Sequence, residues 1–212
     1  MYPELTLSLP PKITAETGID AFTHAIECFI CNKSNVISDL FALESIRLIS
    51  DNLYNAVNNG DNKVSRYNMA LASFYGGVAI TNSGTGGVHA LAYPLGGTYG
   101  MSHGLSNSIL LAEVMEFNAE AVPGKFGKIA ELMGIDTNGL SEEQITKSAL
   151  DKIRKLVNDV GISIEGFEVS EKGLDNLAAL AISEQQRLIK NNPRLITYKI
   201  AREIYKNSLS KK

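Results

Sequence analysis

Three histidines and one aspartate are the residues of this chain whose spacing could support metal chemistry. His24 follows Asp20 by four residues in a segment with a helical pattern, so both side chains stand on one helix face. His89 and His103 lie 14 residues apart in a glycine-rich stretch that can reverse the chain. One carboxylate and three imidazoles suit Fe²⁺ or Zn²⁺ better than Ca²⁺ or Mg²⁺. An ion held this way would act as a Lewis acid.

Spacing alone does not bring these four residues together. For Asp20 and His24 taken as a pair, the alternative is a buried ion-pair partner and a hydrogen-bonded core histidine, because isolated buried polar groups usually have ordinary partners. The metal site is therefore a hypothesis that depends on the helices and turns between these positions.

Hydrophobic periodicity predicts an all-α chain. Residues 15–30 are apolar on most faces, which is typical of a buried helix, and Thr14 is predicted as its N-cap. Residues 39–58 have a clear amphipathic pattern, with apolar side chains three and four positions apart. No alternating strand pattern exceeds five residues. Further helices are predicted at residues 62–80, 125–133, 140–160, 174–188 and 197–209, with another following Gly104.

Glycine is concentrated in residues 84–104, which hold seven of the chain's 18 glycines. The middle of this stretch is predicted to form a short helix that carries His89 and is closed by Pro94 and a turn at Gly96-Gly97. The GTGG run at its start follows no strand, unlike the loops that bind phosphate before a helix. Phosphate binding at that run is therefore not favoured.

The composition excludes several classes of protein. The 212 residues have a net charge of −3, so no basic surface for nucleic acid or for an anionic membrane is expected. No run approaches the roughly 20 apolar residues that a membrane-spanning helix needs. Only two cysteines are present, which is too few for a disulfide framework. We therefore expect a cytoplasmic, globular protein.

Four other polar or thiol residues near these motifs do not favour a site of their own. Cys28 and Cys31 form a CxxC pattern at the end of a helix, whereas redox pairs lie at a helix N-terminus, so we expect them to pack as small apolar residues. Glu27 follows His24 by three residues, the reverse of the ExxH order in di-iron bundles, and is not assigned as a ligand. Asn107 is expected to order the loop or a nearby water.

Two long motifs resemble one known family. TGIDAFTHAIE at 17–27 and GGVHALAYPLGGTYGMSHGLSN at 86–107 closely resemble the iron-dependent alcohol dehydrogenases, whose metal motif is Asp-x-x-x-His followed by two histidines 14 apart. Further matches are SLP at 8–10, SD..A at 38–42, VMEFN at 114–118 and NPR at 192–194. The resemblance spans nearly the whole chain but only the second half of that family's proteins.

The resemblance implies a metal site and a division of labour between two domains. It implies that Asp20, His24, His89 and His103 bind Fe²⁺, with Zn²⁺ as a substitute, and that hydride passes between an alcohol and a nicotinamide cofactor, NAD(P). Tyr93 stands where many members have a histidine close to the cofactor, and we expect it to act beside the ligands or simply to pack.

The implied domain organisation has three parts. Residues 1–13 are expected to be the remnant of an interdomain connector, and residues 14–212 to form an all-helical, metal-binding catalytic domain like the C-terminal half of the iron-dependent alcohol dehydrogenases and of dehydroquinate-synthase-like proteins. The N-terminal nucleotide-binding domain, with its GGGS loop, is expected to be absent from this chain. The isolated chain is then expected to be inactive unless that domain acts with it in cis or in trans.

Expected partners are a small alcohol or aldehyde and, in addition, further copies of the chain in a homo-oligomer. Neither nucleic acid nor a membrane is expected as a partner. Two alternatives remain open at this point: a non-catalytic helical module that binds metal or serves assembly, and a zinc-dependent domain like that of glycerol dehydrogenase.

Overall fold

The structure, a computed structural model, describes residues 2–209. Across these residues it contains one short 3₁₀ helix, Pro3–Thr6, ten α-helices and no strand, as the apolar periodicity predicts. The α-helices in chain order are α1 (Pro11–Ile30), α2 (Val36–Asn58), α3 (Lys63–Ser83), α4 (Gly87–Tyr99), α5 (His103–Ala119), α6 (Pro123–Leu132), α7 (Glu142–Asp159), α8 (Glu171–Glu184), α9 (Gln186–Asn191) and α10 (Tyr198–Leu209).

Helix α1 forms the centre of the fold and packs against α2, α3 and α5. It is buried on most of its faces, as predicted, since Ile19, Phe22 and Ile26 have no exposed surface. The prediction that Thr14 is its N-cap is wrong. The helix begins at Pro11, because the first N–H groups of a helix have no partner within it and a proline there loses no hydrogen bond. The Thr14 hydroxyl donates to the carbonyl oxygen of Pro10.

Helix α2 begins three residues earlier than its apolar pattern indicates. The Asn35 side chain accepts hydrogen bonds from the N–H groups of Ile37 and Ser38, and the Ser38 hydroxyl accepts one from the N–H of Asn35. This reciprocal capping box satisfies donors that the first turn of a helix otherwise leaves unpaired. Asn35 therefore determines where α2 begins.

Helix α4 differs from its prediction in its length and in its end. It continues through Pro94 and through Gly96-Gly97 to Tyr99, so the predicted turn at these two glycines is wrong. The chain reverses at Gly100, whose φ of 67° lies in the left-handed region that glycine adopts without strain. A proline inside a helix removes one hydrogen bond and need not end the helix.

The C-terminal helices also depart from one prediction. Residues 174–188 do not form a single helix, because the chain breaks at Gln185 between α8 and α9. The other predicted helices are present with small shifts at their ends. Among residues 2–209, no helix combines the length and the apolar character needed to cross a bilayer.

Candidate metal centre

The four residues of the hypothesis lie together in the structure. One potential ligand atom from each of Asp20, His24, His89 and His103 lies within 4.8 Å of the others. The Asp20 carboxylate is at the centre, 3.9 Å from His24 Nδ1, 3.7 Å from His89 Nε2 and 3.5 Å from His103 Nε2. Four donors around a Zn²⁺ at about 2.1 Å would be separated by roughly 3.4 Å, so the arrangement is close to that of a metal site.

Three helices position these side chains. Asp20 and His24 lie one turn apart on α1, His89 is in the first turn of α4, and His103 is the first residue of α5. The His24 and His89 rings stack with their centroids 4.5 Å apart. Exposure increases across the cluster, because the His89 side chain is 2% exposed while that of His103 is 43% exposed. The cluster therefore has a buried wall and an open side.

The electrostatics of the cluster keep His24 ready to bind a cation. Burial, with a smaller contribution from His89, lowers the pKa of His24 from 6.5 to about 4, while the Asp20 carboxylate acts in the opposite direction. His24 is therefore neutral at neutral pH. A metal ligand must be a neutral imidazole with a free lone pair.

Asn107 lies among the same donors and provides a test of the fit to a cation. Its amide nitrogen donates to Asp20 Oδ1 at 2.6 Å and lies 3.1 Å from His103 Nε2 and 3.4 Å from His89 Nε2. One NH₂ group has two hydrogens and faces three acceptors here. Its own Oδ1 is buried without a hydrogen-bond partner among the described residues. A cation would serve the converging acceptors more completely, so the residues present fit a metal ion.

Glu27 is the functional candidate that the sequence reasoning did not assign. It is 1% exposed, and its carboxylate contacts His89 Nδ1 at 2.6 Å. It also accepts hydrogen bonds from the N–H groups of Gly86 and Val88 at the start of α4. The Gly87 N–H donates to Asn192 Oδ1. The N–H groups of Gly86, Gly87 and Val88 are therefore already paired within the chain.

Tyr93 lies at the open side of the cluster. Its ring stacks on that of His103 with centroids 5.6 Å apart, and the residue is 47% exposed. An open cavity of about 650 Å³ adjoins it, lined by Ala92, Tyr93, Gly96, Gly97, Met101 and His103. The exposed imidazole and the phenol thus share one approach from solvent.

A larger cavity, of about 950 Å³, lies elsewhere between α5, α7 and the segment at residues 162–169. It contains none of the three imidazoles, and its Arg154 is already paired with Glu116. Cavity size therefore does not identify the site, whereas the convergence of donors does.

The cysteines behave as predicted from their place in the sequence. Cys28 and Cys31 are free and buried at the end of α1. Burial raises the pKa of the Cys28 thiol to about 12, so its reactive thiolate form is suppressed.

Comparisons with known proteins agree with the resemblance. The model of the "Fe-containing alcohol dehydrogenase family, C-terminal" matches residues 14–209. Long-chain-alcohol dehydrogenase 1 of Geobacillus thermodenitrificans is 40% identical over 205 residues, which are 96% of this chain and 52% of that protein. The crystal structure of a 1,3-propanediol oxidoreductase is 38% identical with a TM-score of 0.94, over 97% of this chain and 54% of the other.

A third comparison concerns a solved complex. Sulfoacetaldehyde reductase from Bifidobacterium kashiwanohense, solved with NAD⁺, is 29% identical with a TM-score of 0.87, over 99% of this chain and 54% of the other. The chain spans about half the length of the curated relatives it matches. Because the family model covers most of the chain, the chain belongs to the iron-containing alcohol dehydrogenase family and corresponds to the C-terminal part of its members.

Proposed function

We propose that this chain is the metal-binding half of an NAD(P)-dependent alcohol dehydrogenase that interconverts small alcohols and their aldehydes or ketones. The observation that supports this most strongly is the convergence of Asp20, His24, His89 and His103 within 4.8 Å in a member of this family. Fe²⁺, with Zn²⁺ as a substitute, fits a set of one carboxylate and three imidazoles. When bound, the ion would supply a Lewis acid that stabilises negative charge on the substrate oxygen.

The buried and the exposed residues of the cluster would have different roles. Asp20 would contribute the one negative charge of the set, and His24 and His89 would contribute ring nitrogens from the buried side. His103 and Tyr93 face the open cavity, so a substrate would approach between the imidazole and the phenol. The mixture of apolar lining and exposed ring edges there suits a small alcohol.

The nicotinamide cofactor would be held by a nucleotide-binding half, in cis or in trans. Residues 1–13 would form the connector to that half, and residues 14–212 the catalytic helical domain. The division of labour is supported by the comparisons, since this chain spans about half of its relatives and one solved neighbour contains NAD⁺. Hydride transfer needs the cofactor of one half and the oxygen-binding site of the other.

Metal analysis of anaerobically prepared protein tests the site. We expect one equivalent of iron or zinc in the wild-type chain and its loss in His89→Ala, because His89 forms the buried wall of the cluster. Tyr93→Phe is the matched control, since it alters an adjacent ring without removing a donor. If neither the wild-type chain nor the control takes up metal, the metal site is refuted.

A second experiment tests the dehydrogenase function separately from metal binding. The chain is mixed with a separately produced nucleotide-binding half, and NAD(P)H absorbance is followed with short-chain alcohols. We expect turnover only when both halves and the metal are present. A chain that binds metal but never supports turnover would favour the non-catalytic module, and tight NAD(P)H binding by this chain alone would contradict the division of labour.

A further inference from the structure

The buried carboxylate of Glu27 contacts both the backbone at the start of α4 and the ring of His89. It lies in the last turn of α1 and is 1% exposed. Its Oε1 accepts from the Val88 N–H at 2.5 Å, and its Oε2 accepts from the Gly86 N–H at 3.1 Å and lies 2.6 Å from His89 Nδ1. Both carboxylate oxygens are therefore occupied by groups on and just before the first turn of α4.

This carboxylate lies at the N-terminus of a helix. The first N–H groups of an α-helix have no partner within the helix, and the helix dipole favours a negative charge beside them. Glu27 meets both conditions from a different helix, α1, which also carries Asp20 and His24. The contact therefore ties the part of α4 that carries His89 to the helix that carries the first two donors.

The two nitrogens of His89 face different partners. Nδ1 faces Glu27, whereas Nε2 lies 3.7 Å from Asp20 Oδ1 and 3.4 Å from the Asn107 amide nitrogen. A carboxylate accepts hydrogen bonds and cannot donate them, so the proton of a neutral His89 belongs on Nδ1. The lone pair is then left on Nε2, which points into the cluster.

We propose that Glu27 is a positioning residue that holds His89 in the Nδ1–H tautomer, with Nε2 directed toward the metal. The metal in this inference rests on the proposed function, whereas the contacts of Glu27 with His89 and with α4 do not depend on it. It assigns Glu27 no place among the ligands, because both of its oxygens are engaged elsewhere. Carboxylates that orient a ligating histidine in this way tune metal sites, and their loss typically lowers metal affinity by about 10- to 100-fold.

Glu27→Gln is the informative substitution because it keeps the shape and removes one acceptor. If the amide NH₂ takes the place of Oε1, it faces the Val88 N–H, and two donors oppose each other. If it takes the place of Oε2, it faces the Gly86 N–H and the proton of His89 Nδ1. In the second arrangement the opposition to His89, though not that to the Gly86 N–H, is relieved when His89 moves its proton to Nε2, which removes the lone pair from the cluster.

Glu16→Gln is the matched control on the same helix. Glu16 is also a buried carboxylate, 5% exposed, but its Oε1 lies 4.0 Å from Lys12 Nζ and its Oε2 accepts a hydrogen bond from the Ser102 hydroxyl. A glutamine oxygen can accept that bond equally well. The control therefore removes a buried negative charge from α1 without opposing two donors.

Two measurements on the 212-residue chain test the proposal. Correlation of imidazole ¹H and ¹⁵N signals in the metal-free protein shows which nitrogen of His89 carries the proton, and a chain with three histidines simplifies the assignment. Competition with a chelator gives the affinity for Zn²⁺. We expect the Nδ1–H tautomer in the wild-type chain and in Glu16→Gln, a population of the Nε2–H tautomer in Glu27→Gln, and about 10- to 100-fold weaker Zn²⁺ binding in Glu27→Gln alone.

Several results would overturn the proposal. The Nε2–H tautomer in the wild-type chain would do so without any variant, even if Glu27→Gln failed to fold. Equal changes in Glu16→Gln and Glu27→Gln would mean that loss of a buried charge, and not the contact with His89, is responsible. A wild-type chain with the Nδ1–H tautomer and no metal uptake would instead refute the proposed metal site, while the tautomer of Glu27→Gln would still decide the role of Glu27.

Discussion

Gly104 offers a sharp test of how α5 is placed beside α1. It follows His103 directly and lies in the first turn of α5. A Cβ at this position would lie 2.5 Å from the backbone oxygen of Glu16 and 2.7 Å from its carbonyl carbon. Both atoms are backbone and cannot swing aside. Gly104→Ala would therefore force α5 to retreat from α1 by roughly 1 Å to reach ordinary contact distance.

The expected cost follows from two opposing effects. Overpacking at a rigid contact costs about 1–3 kcal/mol, and alanine in place of glycine in a helix returns up to about 1 kcal/mol. The difference is about 0–3 kcal/mol, and the middle of that range, about 1–2 kcal/mol, corresponds to a decrease in Tm of roughly 2–8 °C for a chain of this size. The retreat also displaces His103 from the other donors, so we expect metal affinity to fall by about tenfold or more.

Gly77→Ala provides the matched control for this prediction. Gly77 lies inside α3, and apart from its chain neighbours and the nearby backbone of its own helix, no atom of the described residues lies within 4 Å of the position that its Cβ would take. The same substitution should here raise stability by about 0.5–1 kcal/mol, or roughly 1–4 °C in Tm. Differential scanning calorimetry measures the Tm of both variants, and competition with a chelator measures their metal affinity. If Gly104→Ala is as stable as Gly77→Ala and binds metal like the wild-type chain, the argument from close approach is refuted.

The further predictions concern Cys28, Asn192 and Tyr93. Because burial raises the pKa of Cys28 to about 12, iodoacetamide at about pH 8 should label Cys28 only after denaturation, as mass spectrometry would detect. The stability that this neutral thiol contributes should persist below pH 9 and be lost as the pH rises toward 12. Asn192→Ala leaves the Gly87 N–H without its acceptor and should cost about 1–3 kcal/mol in urea unfolding. Tyr93→Phe should change the free energy of unfolding by less than about 0.5 kcal/mol. The substitution keeps the ring that contacts His103, so a large loss of metal affinity would show that the hydroxyl, and not the ring, makes the important contact.

The sequence was sufficient for the all-α class and for the placement of Asp20 and His24 on one helix face, for a physical reason. Residues four apart on a helix share a face whatever the rest of the fold does, so Asp20 and His24 needed no tertiary information. The distance between α1 and the later histidines did need it, and there the family motif supplied what spacing could not. The donors converge because α4 and α5 both reach α1 at their N-terminal ends.

The errors along the chain have a common origin in capping and in tertiary contacts. The apolar pattern of α2 begins after its true start, because Asn35 and Ser38 stabilise a first turn with few buried side chains. Helix α4 passes through Pro94 because packing of Leu91 and Leu95, both fully buried, outweighs one missing hydrogen bond. Local helix propensity alone predicts a later start for α2 and an end of α4 near Pro94.

Glu27 could have been found from the sequence by a different signal from the one applied. Asp20, His24 and Glu27 are spaced by four and then three residues, so they form one polar line along a helix that is buried on most of its faces. A ligand motif explains the first two, but a third polar group on the same line must also have a partner, because a buried carboxylate without one is very costly. In this chain the partner is the first turn of α4, which carries His89. A search for the partner of every polar residue on this helix would therefore have pointed to the contact between Glu27 and His89.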